Sequence, residues 1–85
     1  MENTFPLTLE EVDKQVTANK IGVYLLLFLL NSDKQHKKYL VRYVGRSDSD
    51  LNARLKQHCS EGYDAFWFEY VKSPLEAYLE ECRLR

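Results

Sequence analysis

The sequence predicts a small α+β domain in which a three-stranded antiparallel sheet is flanked by helices. Three observations carry this. There are three β-prone runs bounded by turn residues, there are segments with apolar residues at helical spacing that open on capping signatures, and the 85-residue length leaves room for one core only. Residues 1–85 therefore read as a single domain. Its composition, 45% hydrophobic and 13% aromatic, makes the aromatic side chains a main source of buried area.

Thr8-Leu9-Glu10-Glu11 has the form of a capping box, and Leu9, Val12 and Val16 continue it at helical spacing towards Asn19. Residues 1–19 thus read as an N-terminal helical segment. The apolar run Ile21 to Leu30 fits strand or helix by length, and Gly22 with its β-branched and aromatic neighbours favours strand. Asn31-Ser32-Asp33 signals a turn, and Tyr39 to Val44 follows as a second strand, so the pair predicts a hairpin with a long basic tip. Asp48, Ser49 and Asp50 offer N-caps to a helix whose stripe, Leu51, Leu55, Arg54 and His58, faces the sheet. Ala65 to Val71 is a third, largely buried strand. Ser73-Pro74-Leu75-Glu76 then places a Ser cap, a Pro at the first helical position and a Glu three residues after the cap. On that last helix Leu75, Tyr78, Leu79 and Cys82 form the stripe expected to pack down.

Net charge is −1, which argues against a strong general affinity for nucleic acid. The distribution is uneven, however: residues 34–58 carry seven basic side chains against two acids, while the flanking segments are acidic. Cys59 and Cys82 do not stand at zinc-ligand spacing with His36 and His58, and Cys82 lies on a helical stripe. The expectation is a reduced protein with buried thiols, cytoplasmic in location. The longest apolar run is too short to cross a bilayer as a helix, and no basic segment precedes it as in a targeting signal.

Gly22-Val23-Tyr24, Tyr43-Val44-Gly45-Arg46-Ser47, Arg54 and His58, and then a carboxylate on the last helix resemble, in that order, the GIY-YIG nuclease family. The family's metal-binding glutamate stands in a pattern like E-A-x-x-x-E, and Glu76-Ala77-Tyr78-Leu79-Glu80 is read onto it with Glu80 as ligand. The resemblance covers residues 20–84, and it implies a GIY-YIG endonuclease-like fold and hydrolysis of DNA phosphodiesters. Two departures stand out. Tyr24 and Tyr43 are farther apart than the family's motifs usually are, which implies an insertion at the hairpin tip. Further site residues, commonly an Asn, and a separate DNA-binding domain or partner protein are implied but lie outside residues 1–85.

The chemistry suits these parts. Phosphodiester hydrolysis needs an activated water, a neutralised oxyanion and a stabilised leaving oxygen. Glu80 would hold Mg2+ or Mn2+, hard cations that keep several waters when protein ligands are few. Glu76 and Glu80 are like charges at i, i+4, a mildly unfavourable spacing that a bound cation would offset. Arg54 would bind a phosphate bidentately, its plainer role being a salt bridge to Glu80 or Asp64. Tyr24 is the candidate general base, provided that Arg42, Arg46, Arg54 and the metal favour its phenolate; otherwise it is an ordinary core tyrosine. Tyr43 would position the water or Tyr24, and His58 would touch phosphate or serve as a second base. Gly45 would let the backbone approach substrate or Tyr24. Lys37, Lys38, Arg42, Arg46 and Lys56 are candidates for DNA-backbone contacts, which set position and carry no base code.

The leading expectation is an endonuclease acting on DNA, branched or damaged DNA included, as in repair. The competing expectations are a module that keeps this fold but only binds, and a small protein-interaction domain with an accidental motif. The near-neutral charge predicts that this chain alone binds duplex DNA weakly and progressively less with added salt. Fluorescence anisotropy across a salt series checks this, and tight binding that survives high salt would contradict it.

Overall fold

The computed structural model describes residues 3–32 and 37–85. In chain order the elements are β1 (Thr4–Pro6), α1 (Leu9–Gln15), β2 (Gly22–Ser32), β3 (Lys37–Ser47), α2 (Leu51–His58), β4 (Ala65–Tyr70) and α3 (Pro74–Leu84). The α+β class is as expected, but the sheet has four antiparallel strands in the order β1-β4-β2-β3, one more than expected. The additional strand is only three residues long, Thr4 to Pro6, and pairs with Ala65 to Trp67. So short a strand, ending on a proline that cannot donate to a ladder, belongs at a sheet edge and leaves no periodic signal.

Thr8 caps α1, its hydroxyl accepting from the Glu11 backbone N–H at 3.1 Å. The Glu11 carboxylate does not reach back; it accepts from Gln15 instead. The helix ends at Gln15, short of Asn19, because Val16 turns extended and Asn19 adopts a left-handed φ of 62°. Asn19 N–H is then held by Asp50, whose carboxylate also caps α2 through Ala53 N–H. One side chain thus joins the end of the first helical segment to the start of the second helix.

The β2-β3 hairpin is longer than the expected strands, at 11 residues in each arm. Asn31 and Ser32, read as turn residues, belong to β2; the expected tip itself lies outside the described residues. The spacing between Tyr24 and Tyr43 therefore goes largely into longer strands. A register shift opposes Leu26 to Tyr43 and Leu27 to Val41, leaving Arg42 as the extra residue of a bulge. Arg42 lies over the Phe28 ring, 5.7 Å from its centroid.

Helices cover both faces of the sheet. On one face Tyr24, Leu26, Phe66 and Phe68 pack with Val12 and Val16 from the α1 segment and with Leu51 and Leu55 from α2. On the other, Leu25, Leu27, Ala65, Val44 and Trp67 form a smaller cluster that Leu84 of α3 joins. The expected packing stripe of α3 is not the one used. Leu75 and Leu79 are 66% and 56% exposed, Tyr78 and Cys82 are also exposed, and the helix seats itself on the small Ala77. Ala77 brings the helix axis close to the sheet, so the larger residues on its flanks are left outside. The cysteines are both free, Cys59 half-buried and Cys82 exposed, so the expectation of buried thiols fails for Cys82. No helix among the described residues is long and apolar enough to cross a membrane.

Leu55 is fully buried between α2 and the sheet. Leu55→Ala is expected to destabilise the domain by about 2–5 kcal/mol, read as a lower urea midpoint at unchanged slope. Leu79→Ala, on the exposed stripe, is expected to leave the midpoint nearly unchanged.

Candidate active site

Tyr24 lies in the middle of this architecture and is 1% exposed. It pairs across the hairpin with Gly45. A Cβ at residue 45 would fall on the Tyr24 ring and hydroxyl, and would stand 2.8 Å from Tyr43 Cε1. Glycine is what allows the Tyr24 ring to lie on strand β3 there. Tyr43, 43% exposed, stacks beside it with ring centroids 6.1 Å apart.

The Tyr24 hydroxyl lies 2.8 Å from His58 Nε2, at the end of α2. His58 Nδ1 lies 2.8 Å from Glu61 Oε1. A carboxylate only accepts, so in neutral His58 the proton belongs on Nδ1, and Nε2 accepts from the Tyr24 O–H. Burial pushes the Tyr24 phenol well above the ordinary tyrosine range; Tyr43 adds to the rise and Arg54 opposes it only in part. The expectation that cations favour the phenolate thus meets a stronger opposing effect, desolvation. Arg42 does not help, because it lies over Phe28, and Arg46 is engaged by carboxylates.

A polar pocket of about 440 Å³ opens beside this pair, lined by Tyr24, Tyr43, Arg46, Arg54, Glu81 and the Ser47-Asp48-Ser49 turn. Arg54 reaches it from the solvent-exposed rim of α2, where Leu51 and Leu55, and not Arg54, make the contact with the sheet. Among the described residues Arg54 forms no ion pair, so the alternative role, a salt bridge to Glu80 or Asp64, has no counterpart. Asp64 instead accepts from Leu29 N–H at 2.7 Å. Arg46 points from the opposite face of β3, between Asp48 at 3.2 Å and Glu81 at 3.1 Å, with its guanidinium over the Tyr78 ring.

Two carboxylates line this pocket: Asp48, in the turn, and Glu81, whose side chain is only 12% exposed; Arg46 approaches both, and Arg85 also approaches Glu81. Glu80 lies elsewhere. It lines a separate, more apolar groove with Tyr70, Glu76 and Leu79, and both of its oxygens are taken by Arg83. That pairing holds the Glu80 carboxyl below its usual range. Arg83, an ordinary salt-bridge partner, thereby offsets the Glu76–Glu80 repulsion for which a metal was invoked. Ser73 caps α3 as expected, its hydroxyl accepting from Glu76 N–H, but the Glu76 carboxylate accepts from Lys72 N–H and not from that of Ser73, so the expected box is only half formed. The signal for Glu81 was in the sequence: E-A-x-x-x-E counted from Glu76 spans six positions and ends on Glu81. Among the described residues no three His, Cys, Asp or Glu side chains cluster as a metal-ligand set. Asp48 and Glu81 are hard oxygen donors at the pocket, but both are engaged by Arg46, so a divalent ion there would have to displace a guanidinium and would keep most of its waters.

The remaining basic candidates are dispersed. Lys37 and Lys38 are exposed at the start of β3, and Lys56 pairs with Asp13, joining α2 to α1. His36 lies outside the described residues. Glu61, which no motif marked, was missed; its only signal was its position three residues after His58. Comparison of the chain with protein-family models, with curated proteins and with solved structures finds no match.

An unfolded phenol ionises near pH ~10, whereas folded Tyr24 keeps its proton to higher pH. Above pH ~10 the native state therefore binds more protons than the unfolded state, and stability falls as pH rises towards the folded value. Urea unfolding across this range is expected to show a steeper fall for wild type than for Tyr24→Phe. Equal slopes would mean that Tyr24 titrates normally.

Proposed function

We propose that this domain is a divalent-metal-dependent endonuclease of GIY-YIG type that hydrolyses DNA phosphodiesters. The observation that carries the reading is the convergence of Tyr24, Tyr43, Arg54 and Glu81, from four different elements, on one polar pocket. A structural role alone gives no reason to bring two tyrosines, an arginine with no ion pair among the described residues and a sparsely exposed glutamate together.

In this reading Arg54 grips a phosphate oxygen with its planar fork, and its exposed position on the rim of α2 leaves it free to do so. Glu81 would hold the metal in place of its present partner, Arg46. The metal's contribution when bound is to stabilise charge on the phosphate and leaving oxygen. Tyr24 receives the proton of the attacking water, and because its own phenol is held protonated by burial, it must pass that proton on; His58 Nε2 is the acceptor in contact with it. Tyr43 stacks on Tyr24 and fixes the ring's orientation. Lys37, Lys38 and Arg42, along the exposed edge strand β3, are available to the DNA backbone.

The competing reading is a module that binds without cleaving, and the Arg46–Glu81 ion pair favours it, since the carboxylate is already neutralised. Nicking of supercoiled plasmid and of branched DNA, with magnesium, manganese or chelator, separates the two. Metal-dependent cleavage is expected in wild type and in Glu80→Gln. Glu81→Gln and Arg54→Ala are each expected to lower the rate roughly 100-fold or more. Cleavage lost in Glu80→Gln but kept in Glu81→Gln would reverse the assignment of the two glutamates. An inert wild type that binds DNA would favour the binding module.

A further inference from the structure

The turn after α2 has a geometry that its sequence does not announce. Glu61 N–H donates to the His58 carbonyl at 3.0 Å, closing a tight turn that carries the Glu61 side chain back alongside the imidazole. Gly62 then takes a φ of 91° and leads the chain away towards β4. The result is a continuous line of contacts, Glu61 to His58 to Tyr24, with both hydrogen bonds 2.8 Å long. The His58 side chain is 13% exposed and Glu61 47% exposed, so the line runs from the solvent edge into the buried phenol.

We propose that Glu61 is a positioning residue that holds His58 protonated on Nδ1, so that Nε2 is the nitrogen available to take the Tyr24 phenolic proton. The proposal rests on the nuclease reading of this pocket. Among the described residues the titratable groups in contact with His58 are Tyr24 on β2, Tyr43 on β3 with ring centroids 5.3 Å apart, and Glu61, with Arg54 one turn earlier on α2. Glu61 is the only anion among them, and it alone can fix the tautomer, because neither tyrosine touches Nδ1.

The proton traffic balances. As the water oxygen forms its bond to phosphorus, its proton passes to the Tyr24 oxygen while the Tyr24 O–H proton passes to His58 Nε2. The phosphorus bond to the leaving oxygen breaks, and that oxygen takes a proton from solvent. His58 ends as an imidazolium whose charge the Glu61 carboxylate offsets, and it returns its surplus proton to solvent. With the other tautomer Nε2 already bears a proton, and Tyr24 has no acceptor.

Two substitutions separate tautomer from charge. In Glu61→Gln the amide oxygen can still accept from Nδ1–H but the negative charge is gone; in Glu61→Ala both are lost. Long-range proton–nitrogen NMR spectra of 15N-histidine-labelled protein read the tautomer of neutral His58 directly and require no cleavage. Wild type and Glu61→Gln are expected to carry the proton on Nδ1, and Glu61→Ala to shift towards the Nε2–H form. On the plasmid substrate kcat is expected to fall about 10-fold or more in Glu61→Ala with KM unchanged, and less in Glu61→Gln. Both substitutions lie at a half-exposed carboxylate, so the unfolding midpoint should barely move. If wild type cleaves DNA but neutral His58 carries its proton on Nε2, or Glu61→Ala keeps the wild-type kcat, the proposal is overturned and the nuclease reading stands. If wild type cleaves nothing, the nuclease reading fails and the relay's catalytic use fails with it, whatever the spectra show.

Discussion

Tyr24 and Gly45 face one another across the central hairpin, and the ring of the one occupies the space a side chain on the other would need. Much of the candidate site follows from that contact. With the ring laid on strand β3, its hydroxyl projects towards the end of α2 and meets His58, and its free side is covered by Tyr43. The distance between α2 and the sheet is set by a second glycine. A Cβ at Gly22 would stand 2.7 Å from Leu51 Cδ2 and 2.6 Å from the Glu69 carbonyl oxygen, so only glycine lets Leu51 seat this closely. Leu51 and Leu55 then fix the helix's rotation. His58 is carried to the phenol and Arg54 to the open rim, both from the same two turns of backbone. Core packing and site geometry are one problem in this domain.

The other half of the pocket is built from charge. Arg46 projects from the opposite face of β3 and reaches Asp48 and Glu81, with Arg85 following Glu81 one turn on along α3. Exposed ion pairs contribute little to stability, typically about 0–1 kcal/mol each. Glu81 is better shielded than most, so its pairing with Arg46 fixes where α3 presents its carboxylate more than it strengthens the fold. Glu80 is instead held at both oxygens by its own helix neighbour, Arg83.

The helices α2 and α3, the two long strands and β4 were legible because each carries a strong local signal: Asp50 and Ser73 as caps, Pro74 at the first turn, and unbroken β-prone runs. The strand β1 was not legible, because three residues have no period and Thr4 to Pro6 become a strand only by pairing with β4. The outward face of α3 was misread for a related reason. Hydrophobic periodicity reports which residues share a face, and Leu75, Tyr78 and Leu79 do share one; it does not report that a smaller residue, Ala77, makes the closer contact. Within the site, Tyr24, Tyr43, Gly45, Arg54 and His58 were named from sequence and are brought together. The glutamate that lines their pocket is Glu81, one position on from the Glu80 of the sequence reading, and on a helix one position is about 100° of rotation, enough to move a carboxylate from one surface to another. Glu61 had no motif to mark it, since its partnership with His58 depends on a turn.

For the proposed nuclease, the depth of Tyr24 poses a chemical problem that the surrounding residues would answer. Desolvation favours a neutral phenol, and the nearby guanidinium of Arg54 does not reverse this. A buried tyrosine that stays protonated is a poor base by itself, since each unit of upward shift costs about 1.4 kcal/mol in forming the phenolate. The cost is avoided if no free phenolate forms, that is, if a proton arrives at the oxygen as another leaves. That requires an acceptor already hydrogen-bonded to the hydroxyl, in the correct tautomer, with a counter-charge behind it. His58 supplies the acceptor at Nε2, and Glu61 supplies the counter-charge at Nδ1. In the proposed relay the proton leaves through His58 Nε2, the acceptor in contact with the hydroxyl. The same apolar packing that makes Tyr24 a reluctant acid on its own would, in the proposed relay, make it a conduit to His58.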